Sequence, residues 1–266
     1  MTRKQSQLSA VIQMYKGYLI DLDGTMFNGD KVIEGAVNFI DRLNKAGIPY
    51  LFLTNNATRQ PSEILEKFES MGFTTAINHI YTSADAMKAY LQEAFDTPSV
   101  YIIGTESFKN TLTYDGTAVF NDYAPDAVVM GLDTSITFEK ILTACRLIQN
   151  GAQFLATNPD IKIKTSYGFS PGNGSFAKLV SEVTGVSPVI TGKPNSYILT
   201  GALARLSMLK EEVAMIGDNY DTDIMTGING GIDTIHVSTG VHSKEEVMSK
   251  RVPPAYTIST LNDWKL

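Results

Sequence analysis

The sequence GYLIDLDGT, residues 17–25, decides the fold, because two aspartates follow directly on a run of apolar and aromatic residues. Such a run is typical of a buried strand. In an open parallel sheet, binding sites form in the crevice beyond the carboxyl ends of the strands. We therefore expect Asp21 and Asp23 to lie at a site of this kind.

The two carboxylates would repel each other unless a cation compensates their charge. At about 4 Å, two like charges cost roughly 1 kcal/mol in water and about four times as much near a protein surface. Oxygen ligands suit Mg²⁺, so the pair predicts a magnesium site, with a solvated Asp-Gly turn as the alternative. An EF-hand loop beginning at Asp21 is excluded, because Met26 and Val32 occupy the positions that require Gly and Glu.

Outward from this stretch, short apolar runs alternate with helical patterns. One helix is predicted from Gly35 to Ala46, with Ala36, Val37, Ile40 and Leu43 on one face. A second is predicted to begin at Pro61, with Gly72 just past its end. Further strands are predicted at YLFL (50–53), SVYIIG (99–104), DAVVMG (126–131), QFLA (153–156), EVAMIG (212–217) and DTIHV (233–237). This alternation predicts an α/β fold with a doubly wound, mostly parallel sheet covered on both faces.

A second group of carboxylates follows the strand pattern Val213–Ile216, in the sequence GDNYDTD (217–223). Asp218 comes directly after the strand and is the better candidate for a metal ligand. Asp221 and Asp223, taken alone, are more typical of a helix cap and a charge in the first turn. Asp223 is predicted to open a helix.

Two more predicted strands end in groups that are able to bind phosphate. YLFL is followed by Thr54 and Asn55, whose hydroxyl and amide groups can contact phosphate oxygens. The pattern PVIT (188–191) is followed by Gly192, which lets backbone approach a ligand, and by Lys193, which supplies a positive charge. Ordinary turn chemistry and a solvated surface lysine are the alternatives for these residues.

The spacing between these strand ends predicts an inserted domain. Asp21 and Thr54 are 33 residues apart and Lys193 and Asp218 are 25 apart, each about one strand-helix unit, whereas 139 residues separate Thr54 from Lys193. About 100 residues, roughly 83–183, are therefore available as a separate domain. FLATNPD (154–160) echoes LFLTNNA (51–57) but falls in this insert, so its Thr-Asn pair is expected in a loop of the inserted domain.

The ordered set DLDGT, LTNN, GKP and GDNYDTD resembles the motifs of haloacid dehalogenase (HAD)-type phosphohydrolases, over about residues 15–260. IDLDGTMFNGDKVIEGA, FLATNPD and PGNGSF extend the resemblance to the NagD-like, p-nitrophenylphosphatase-like group. The resemblance implies a Rossmann-like core, residues 1–82 and 184–266, with a C2-type α/β cap domain, residues 83–183. A homodimer formed through the cap is left open.

By the same resemblance, Asp21 is the nucleophile that forms an aspartyl-phosphate, and Asp23 is the general acid and base that also contacts substrate. Mg²⁺ is implied at Asp21, the backbone carbonyl of Asp23 and Asp218. Asp223 and Asn219 are expected to act through bound water or on the phosphate. The phosphate is implied to bind the group that follows the other two strands: Thr54, Asn55 and Lys193.

The function implied is a Mg²⁺-dependent phosphomonoesterase acting on small cytosolic metabolites such as sugar phosphates or nucleoside monophosphates. A catalytically weak metabolite-binding or regulatory protein and a phosphotransferase are the alternatives. The presence of both Asp21 and Asp23 disfavours a binding protein, because such a protein needs no nucleophile beside an acid. The segment Asn219–Asp221 is the most variable part of its motif, which leaves details of substrate recognition open.

The amino-acid composition excludes several other classes of protein. The net charge of −6, from 28 acidic and 22 basic residues, excludes a broad surface for nucleic acid or anionic membrane. A single cysteine, Cys145, excludes an internal disulfide framework. No apolar run approaches the ~20 residues of a membrane helix, and the start of the chain lacks a secretory apolar segment, so the cytoplasm is expected. Residues 1–14 are expected to form a frayed extension.

Several other features are interpreted as structural. Gly172, Gly174 and Ala177 approach a dinucleotide-binding pattern, but they are better explained by a turn that begins a helix over Ser175–Thr184. Cys145 lies on an apolar helical face and is expected in a core. The apolar stripe Met87, Leu91 and Phe95 is expected in a core, with a dimer surface as the alternative. The scattered histidines His79, His236 and His242 are expected to pack inside the protein or to lie at its surface.

Overall fold

The computed structural model describes residues 15–165 and 168–266, which leaves the expectation for residues 1–14 outside the described part of the chain. The chain divides into two compact units. The first unit holds residues up to 52, 67–79 and 202–266, and the second holds 53–66 and 80–201. In this division residues 53–66, 80–82 and 184–201 share a unit with residues 83–183, and the domain limits at 83 and 183 stay a prediction.

The strands confirm most of the predicted apolar runs, with ends that differ by one or two residues. In chain order they are β1 Gly17–Ile20, β2 Phe27–Asn28, β3 Lys31–Val32, β4 Tyr50–Thr54, β5 Ile80–Thr82, β6 Ser99–Ile103, β7 Val119–Phe120, β8 Ala127–Met130, β9 Gln153–Ala156, β10 Lys162–Thr165, β11 Gly168–Pro171, β12 Val189–Ile190, β13 Val213–Gly217, β14 Asp233–Val237 and β15 Tyr256–Ile258.

The helices alternate with these strands. They are α1 Ala36–Ala46, α2 Pro61–Ser70, α3 Ser83–Ala94, α4 Glu106–Thr113, α5 Phe138–Gln149, α6 Asn173–Thr184, α7 Ser196–Leu206, α8 Met225–Gly230 and α9 Lys244–Met248. The buried face of α1 consists of Ala36, Phe39, Ile40 and Leu43, so Phe39 takes the place predicted for Val37. Helix α6 begins at Asn173, two residues before the predicted start. In the described part of the chain, no helix is long and apolar enough to cross a membrane.

The larger sheet has six strands in the order β15-β14-β13-β1-β4-β5. Strand β1 lies between β13 and β4 and is parallel to both, with Ile20 opposite Ile216 and Phe52. Side chains along these three strands are almost fully buried, as expected for a parallel sheet covered on both faces. Because β1 and β13 are neighbours, the residues that follow them, Asp21 and Asp218, are brought side by side.

The second unit contains a five-stranded parallel sheet in the order β12-β9-β8-β6-β7. Alternate residues of its strands face opposite cores: Val100 and Ile102 pack in one, and Tyr101 and Ile103 in the other. Helices α3 and α4 cover the first core, and α5 and α6 cover the second. Cys145 is buried in the second core, as predicted, and this burial raises the pKa of its thiol.

Candidate active site

Three carboxylates lie together where β1 and β13 end. One oxygen from each of Asp21, Asp218 and Asp223 lies within 4.8 Å of the others. The three residues are 7%, 0% and 1% exposed. The Asp21 backbone N–H donates to the carbonyl of Ile216 at 2.9 Å, which continues the pairing of the two strands up to the first carboxylate.

The surroundings of Asp218 fix its carboxylate. Thr25 Oγ1 donates to Asp218 Oδ1 at 3.2 Å, and the backbone N–H of Val241 donates to Oδ2 at 2.6 Å. Gly24, at φ 96°, and Gly240 approach this carboxylate so closely that a Cβ at either position would overlap it. Glycine at 24 also meets the positive φ without strain. These two glycines therefore leave the space that the carboxylate occupies.

Asp223 reaches the cluster through a π-helical turn, Tyr220–Ile224. Its Oδ2 accepts the Asn219 backbone N–H at 3.0 Å, and its Oδ1 accepts the Thr222 hydroxyl at 3.2 Å. The prediction that Asp223 opens a helix was therefore wrong, because the wide turn ends at Ile224 and α8 begins at Met225. This turn directs Asp223 back toward the strand end, where a Cβ at Gly217 would overlap it.

The neighbouring residues of this motif have other contacts. Asn219 Oδ1 accepts the Asp221 backbone N–H at 3.0 Å and closes the start of the turn. Asp221 is exposed, and its carboxylate lies 3.7 Å from His242 Nε2 and 3.8 Å from Lys250 Nζ. Asp221 therefore stands apart from the three carboxylates, in line with its interpretation as a turn residue.

The donor set of this cluster fits a hard divalent cation. At an effective dielectric constant of about 20, two like charges 4.8 Å apart repel by about 3.5 kcal/mol. The repulsion of three such pairs favours a cation bound among them, and carboxylate oxygens are the ligands that Mg²⁺ or a similar ion takes. Glycine at positions 24, 217 and 240 leaves the room that the carboxylates of Asp218 and Asp223 occupy.

Asp23 differs from Asp21 in its environment. It is exposed, whereas Asp21 is buried. Its loop is fixed by the backbone: the Gly24 N–H donates to the carbonyl of Phe27 at 2.8 Å, and the Thr25 N–H donates to that of Leu22 at 3.2 Å. A carboxyl group on a fixed loop and open to solvent can exchange protons with a substrate or with water.

In the second unit, the structure brings Asn55 and Lys193 together. The Lys193 backbone N–H donates to Asn55 Oδ1 at 2.7 Å, and Asn55 Nδ2 donates to the Lys193 carbonyl at 3.0 Å. Lys193 is 2% exposed and precedes a cis peptide bond to Pro194. Thr54 is also buried, and its Oγ1 accepts the backbone N–H of Asn56 at 3.1 Å.

Sequence reasoning missed two residues beside Asn55. Asn158 Nδ2 donates to the carbonyl of Asn55 at 3.0 Å, and Asp160 Oδ2 accepts from Asn55 Nδ2 at 3.1 Å. Both belong to the loop after β9, for which the sequence predicts only a loop of the inserted domain. The echo between LFLTNNA and FLATNPD is the available signal, because it places similar polar groups after two parallel strands.

The two glycines of PGNGSF let the start of α6 pack closely on the loop after β9. A Cβ at Gly172 would overlap the carbonyl of Asp160, and one at Gly174 would overlap that of Pro159. Asn173 is buried between them, and its Nδ2 donates to Thr157 Oγ1 at 3.3 Å. Close packing of the start of α6 on residues 157–160 thus accounts for the glycine pattern that approaches a dinucleotide-binding motif.

Comparison with known proteins agrees with this arrangement. Residues 18–118 match the family model of the haloacid dehalogenase-like hydrolases, and residues 190–264 match the HAD-hydrolase-like model. The chain is 48% identical over 252 residues to the acid sugar phosphatase of Staphylococcus aureus (strain MRSA252), covering 95% of this chain and 97% of that protein.

Two solved structures share the fold over nearly their whole length. A double mutant of the thermostable NPPase from Geobacillus stearothermophilus superposes with a TM-score of 0.90 at 40% identity, covering 96% of this chain and 99% of that one. NagD from Escherichia coli K-12 superposes with a TM-score of 0.90 at 28% identity, covering 95% and 99%.

Proposed function

This chain belongs to the haloacid dehalogenase-like hydrolases, as a NagD-like phosphatase that hydrolyses phosphomonoesters, and on that premise we propose that its substrates are small sugar phosphates. The observation that carries the proposal is the 48% identity to an acid sugar phosphatase over almost the full length of both chains. Nucleoside monophosphates, the other class considered from the sequence, become the comparison substrates. The cytoplasm as compartment and a homodimer through the cap remain parts of the proposal.

We further propose that the metal is Mg²⁺. Asp21, Asp218 and the backbone carbonyl of Asp23 would hold the ion, while Asp223 and Asn219 would act through bound water. When bound, the ion neutralises negative charge on the phosphoryl oxygens. The buried carboxylates of Asp21, Asp218 and Asp223 support this assignment, since their mutual repulsion calls for a cation.

The proposed reaction has two steps. A carboxylate oxygen of Asp21 attacks phosphorus, the bond from phosphorus to the sugar oxygen breaks, and Asp23 gives that oxygen a proton. Water then attacks phosphorus, Asp23 takes a proton from it, and the bond to Asp21 breaks to release inorganic phosphate. The burial of Asp21 and the exposure of Asp23 suit the roles of nucleophile and proton carrier, respectively.

Thr54, Asn55 and Lys193 form the phosphate-binding group of this proposal. Phosphoryl transfer requires mainly positioning and neutralisation of charge on the equatorial oxygens. The lysine suits this task, because a buried ammonium acts on an anion through a medium of low dielectric constant. Its backbone is held by Asn55, so the chain at this point is fixed before substrate arrives.

Release of phosphate from a panel of substrates tests the proposal. Sugar phosphates and nucleoside monophosphates are compared at equal concentration, with and without Mg²⁺, together with Asp21→Asn. We expect higher kcat/KM for sugar phosphates, dependence on Mg²⁺, and loss of turnover in Asp21→Asn. Preference for nucleotides would overturn the substrate class, and full activity in Asp21→Asn would overturn the mechanism. Transfer of phosphate to an added sugar in place of release would establish a phosphotransferase.

A further inference from the structure

The side-chain amide of Asn55 donates both of its hydrogens to other groups of the protein. A primary amide has two hydrogens to donate. In this structure Asn55 Nδ2 donates to the Lys193 carbonyl at 3.0 Å and to Asp160 Oδ2 at 3.1 Å. A phosphate dianion is an acceptor and needs donors. The Asn55 side chain would therefore have to give up one of these bonds in order to contact it.

The same amide fixes the backbone of Lys193. Its Oδ1 accepts the Lys193 N–H at 2.7 Å while its nitrogen donates to the Lys193 carbonyl, so both polar groups of that residue's backbone bind one side chain. Gly192 permits this approach, since a Cβ there would overlap the Thr157 carbonyl and lie 2.6 Å from Asn55 Oδ1. The orientation of the Asn55 amide therefore fixes the position of the Lys193 backbone, from which the lysine side chain extends.

That orientation is set by the loop after β9. Asp160 accepts from the amide nitrogen, so the nitrogen and the oxygen of Asn55 cannot exchange places without setting an amide oxygen against a carboxylate oxygen. Asn158 holds the backbone of Asn55 through its carbonyl, at 3.0 Å, and Ser83 Oγ donates to the same carbonyl at 2.7 Å. Glycines 172 and 174 let the start of α6 pack closely behind this loop.

We propose that Asp160 and Asn158 are positioning residues for phosphate binding, which act through Asn55 on Lys193 without touching the substrate. The proposal rests on the phosphate-binding role proposed for Lys193. The contacts join residues that are 105, 103 and 138 positions apart in sequence. The strength of phosphate binding at Lys193 is thereby made to depend on a loop of the inserted domain.

A double-mutant cycle tests the proposal. Asp160→Ala, Asn55→Ala and the double variant are compared with the parent for kcat and KM on p-nitrophenyl phosphate, and for binding of inorganic phosphate by calorimetry. Misplacement of a catalytic group by about 1 Å can cost about 100-fold. We expect losses of about 10- to 100-fold in kcat/KM for each single variant, with weaker phosphate binding. The double variant should match Asn55→Ala within about twofold, because Asp160 acts through Asn55.

Asp126→Ala is the matched control. Asp126 also accepts an N–H in the second unit, in its case from the Ser99 backbone at 2.8 Å, but it lies before β8, at the opposite end of the parallel sheet from Asp160. We expect it to retain parental kcat/KM. Asp160→Asn should recover most of the activity, because its amide oxygen can still accept from Asn55. If Asp160→Ala fails to fold, Asp160→Ser, whose shorter side chain also loses the contact with Asn55, takes its place in the cycle.

Additive losses in the double variant would overturn the proposal, since Asp160 would then act independently of Asn55. Unchanged phosphate binding in Asp160→Ala would overturn it as well. The proposed function is judged separately, by turnover of the parent and its loss in Asp21→Asn. Because phosphate binding is measured without turnover, positioning is decided even if the parent hydrolyses none of the substrates offered.

Discussion

Replacement of Asp218 by Asn is expected to stabilise the metal-free protein while it removes metal binding. Asn has the same shape and keeps an oxygen for the Val241 N–H, which lies 2.6 Å from Oδ2 in the parent. The Thr25 hydroxyl, 3.2 Å from the other oxygen, can rotate and accept from the new amide. The substitution therefore removes a charge with little loss of hydrogen bonding.

The size of the effect follows from the geometry of the cluster. Removing one of three charges removes two of the three repulsive pairs. At 4.8 Å each pair costs about 0.9 kcal/mol at the dielectric constant of water and about 3.5 kcal/mol at an effective value of 20. The lower figure gives about 2 kcal/mol, which corresponds to a rise of about 4–8 °C in Tm for a chain of this size.

Thermal unfolding in EDTA and in Mg²⁺ measures both parts of this prediction. In EDTA the Tm of Asp218→Asn should lie above that of the parent. With Mg²⁺ at a hundredfold excess over its Kd, the parent should gain about 2.7 kcal/mol, and Asp218→Asn should gain far less. A matched control is Asp133→Asn, because Asp133 is also buried but bound to Lys140 Nζ at 2.7 Å. That control should lower Tm in both conditions.

Two results would refute the reasoning. A fall in Tm for Asp218→Asn in EDTA would mean that the carboxylates do not destabilise each other in the metal-free protein. An equal gain from Mg²⁺ in the parent and in Asp218→Asn would place the ion elsewhere.

Three further predictions concern other groups. Asp23→Asn should lower kcat by about 10²- to 10⁴-fold with little change in Tm, as measured by steady-state kinetics and calorimetry, because we propose that this exposed carboxyl transfers protons. Cys145 should not react with a thiol reagent in the native protein and should react once guanidinium unfolds it, because burial raises the pKa of its thiol. Burial acts to raise the pKa of Asp133, but hydrogen bonds from Lys140 and Ser135 outweigh it and lower the pKa below 3.8. The contribution of Asp133 to stability should therefore be present above pH 4 and lost at lower pH. Urea titrations that compare the parent with Asp133→Asn measure this loss.

The ends of the central strands could be predicted from sequence because they depend on local pattern. GYLI and VAMI are continuous apolar runs, and in a parallel sheet their carboxyl ends face the same way. The placement of Asp21 beside Asp218 needed only that β1 and β13 be neighbours. The fold class followed from the same alternation of strand and helix patterns.

The position of Asp223 could not be derived in this way. Its sequence, DTDI, fits the first turn of an α-helix equally well. The π-helical turn depends on the fit of Asp223 against Gly217 and on its bond to the Asn219 N–H. These contacts exist only after the chain has folded.

The hydrogen bonds of Asp160 and Asn158 to Asn55 were also beyond sequence patterns. They span more than 100 residues and join loops, which carry no periodic signal. The hairpin β10–β11 was missed for a related reason. KIKT and GFSP are largely exposed, so the apolar runs that mark buried strands are absent. The ends of β1 and β13 could be predicted, whereas the bonds that join Asn55 to the loop after β9 could not.

Chemical trapping of the reaction intermediate tests most directly the claim that Asp21 is the nucleophile. The protein is mixed with a sugar phosphate and Mg²⁺, quenched in acid within milliseconds, and treated with borohydride, which reduces an acyl-phosphate to an alcohol. Peptide mass spectrometry should then find homoserine at position 21, only when substrate is present, and in larger amount in Asp23→Asn if hydrolysis of the intermediate is slowed more than its formation. Unmodified Asp21 during rapid turnover, or reduction at another carboxylate, would contradict the account.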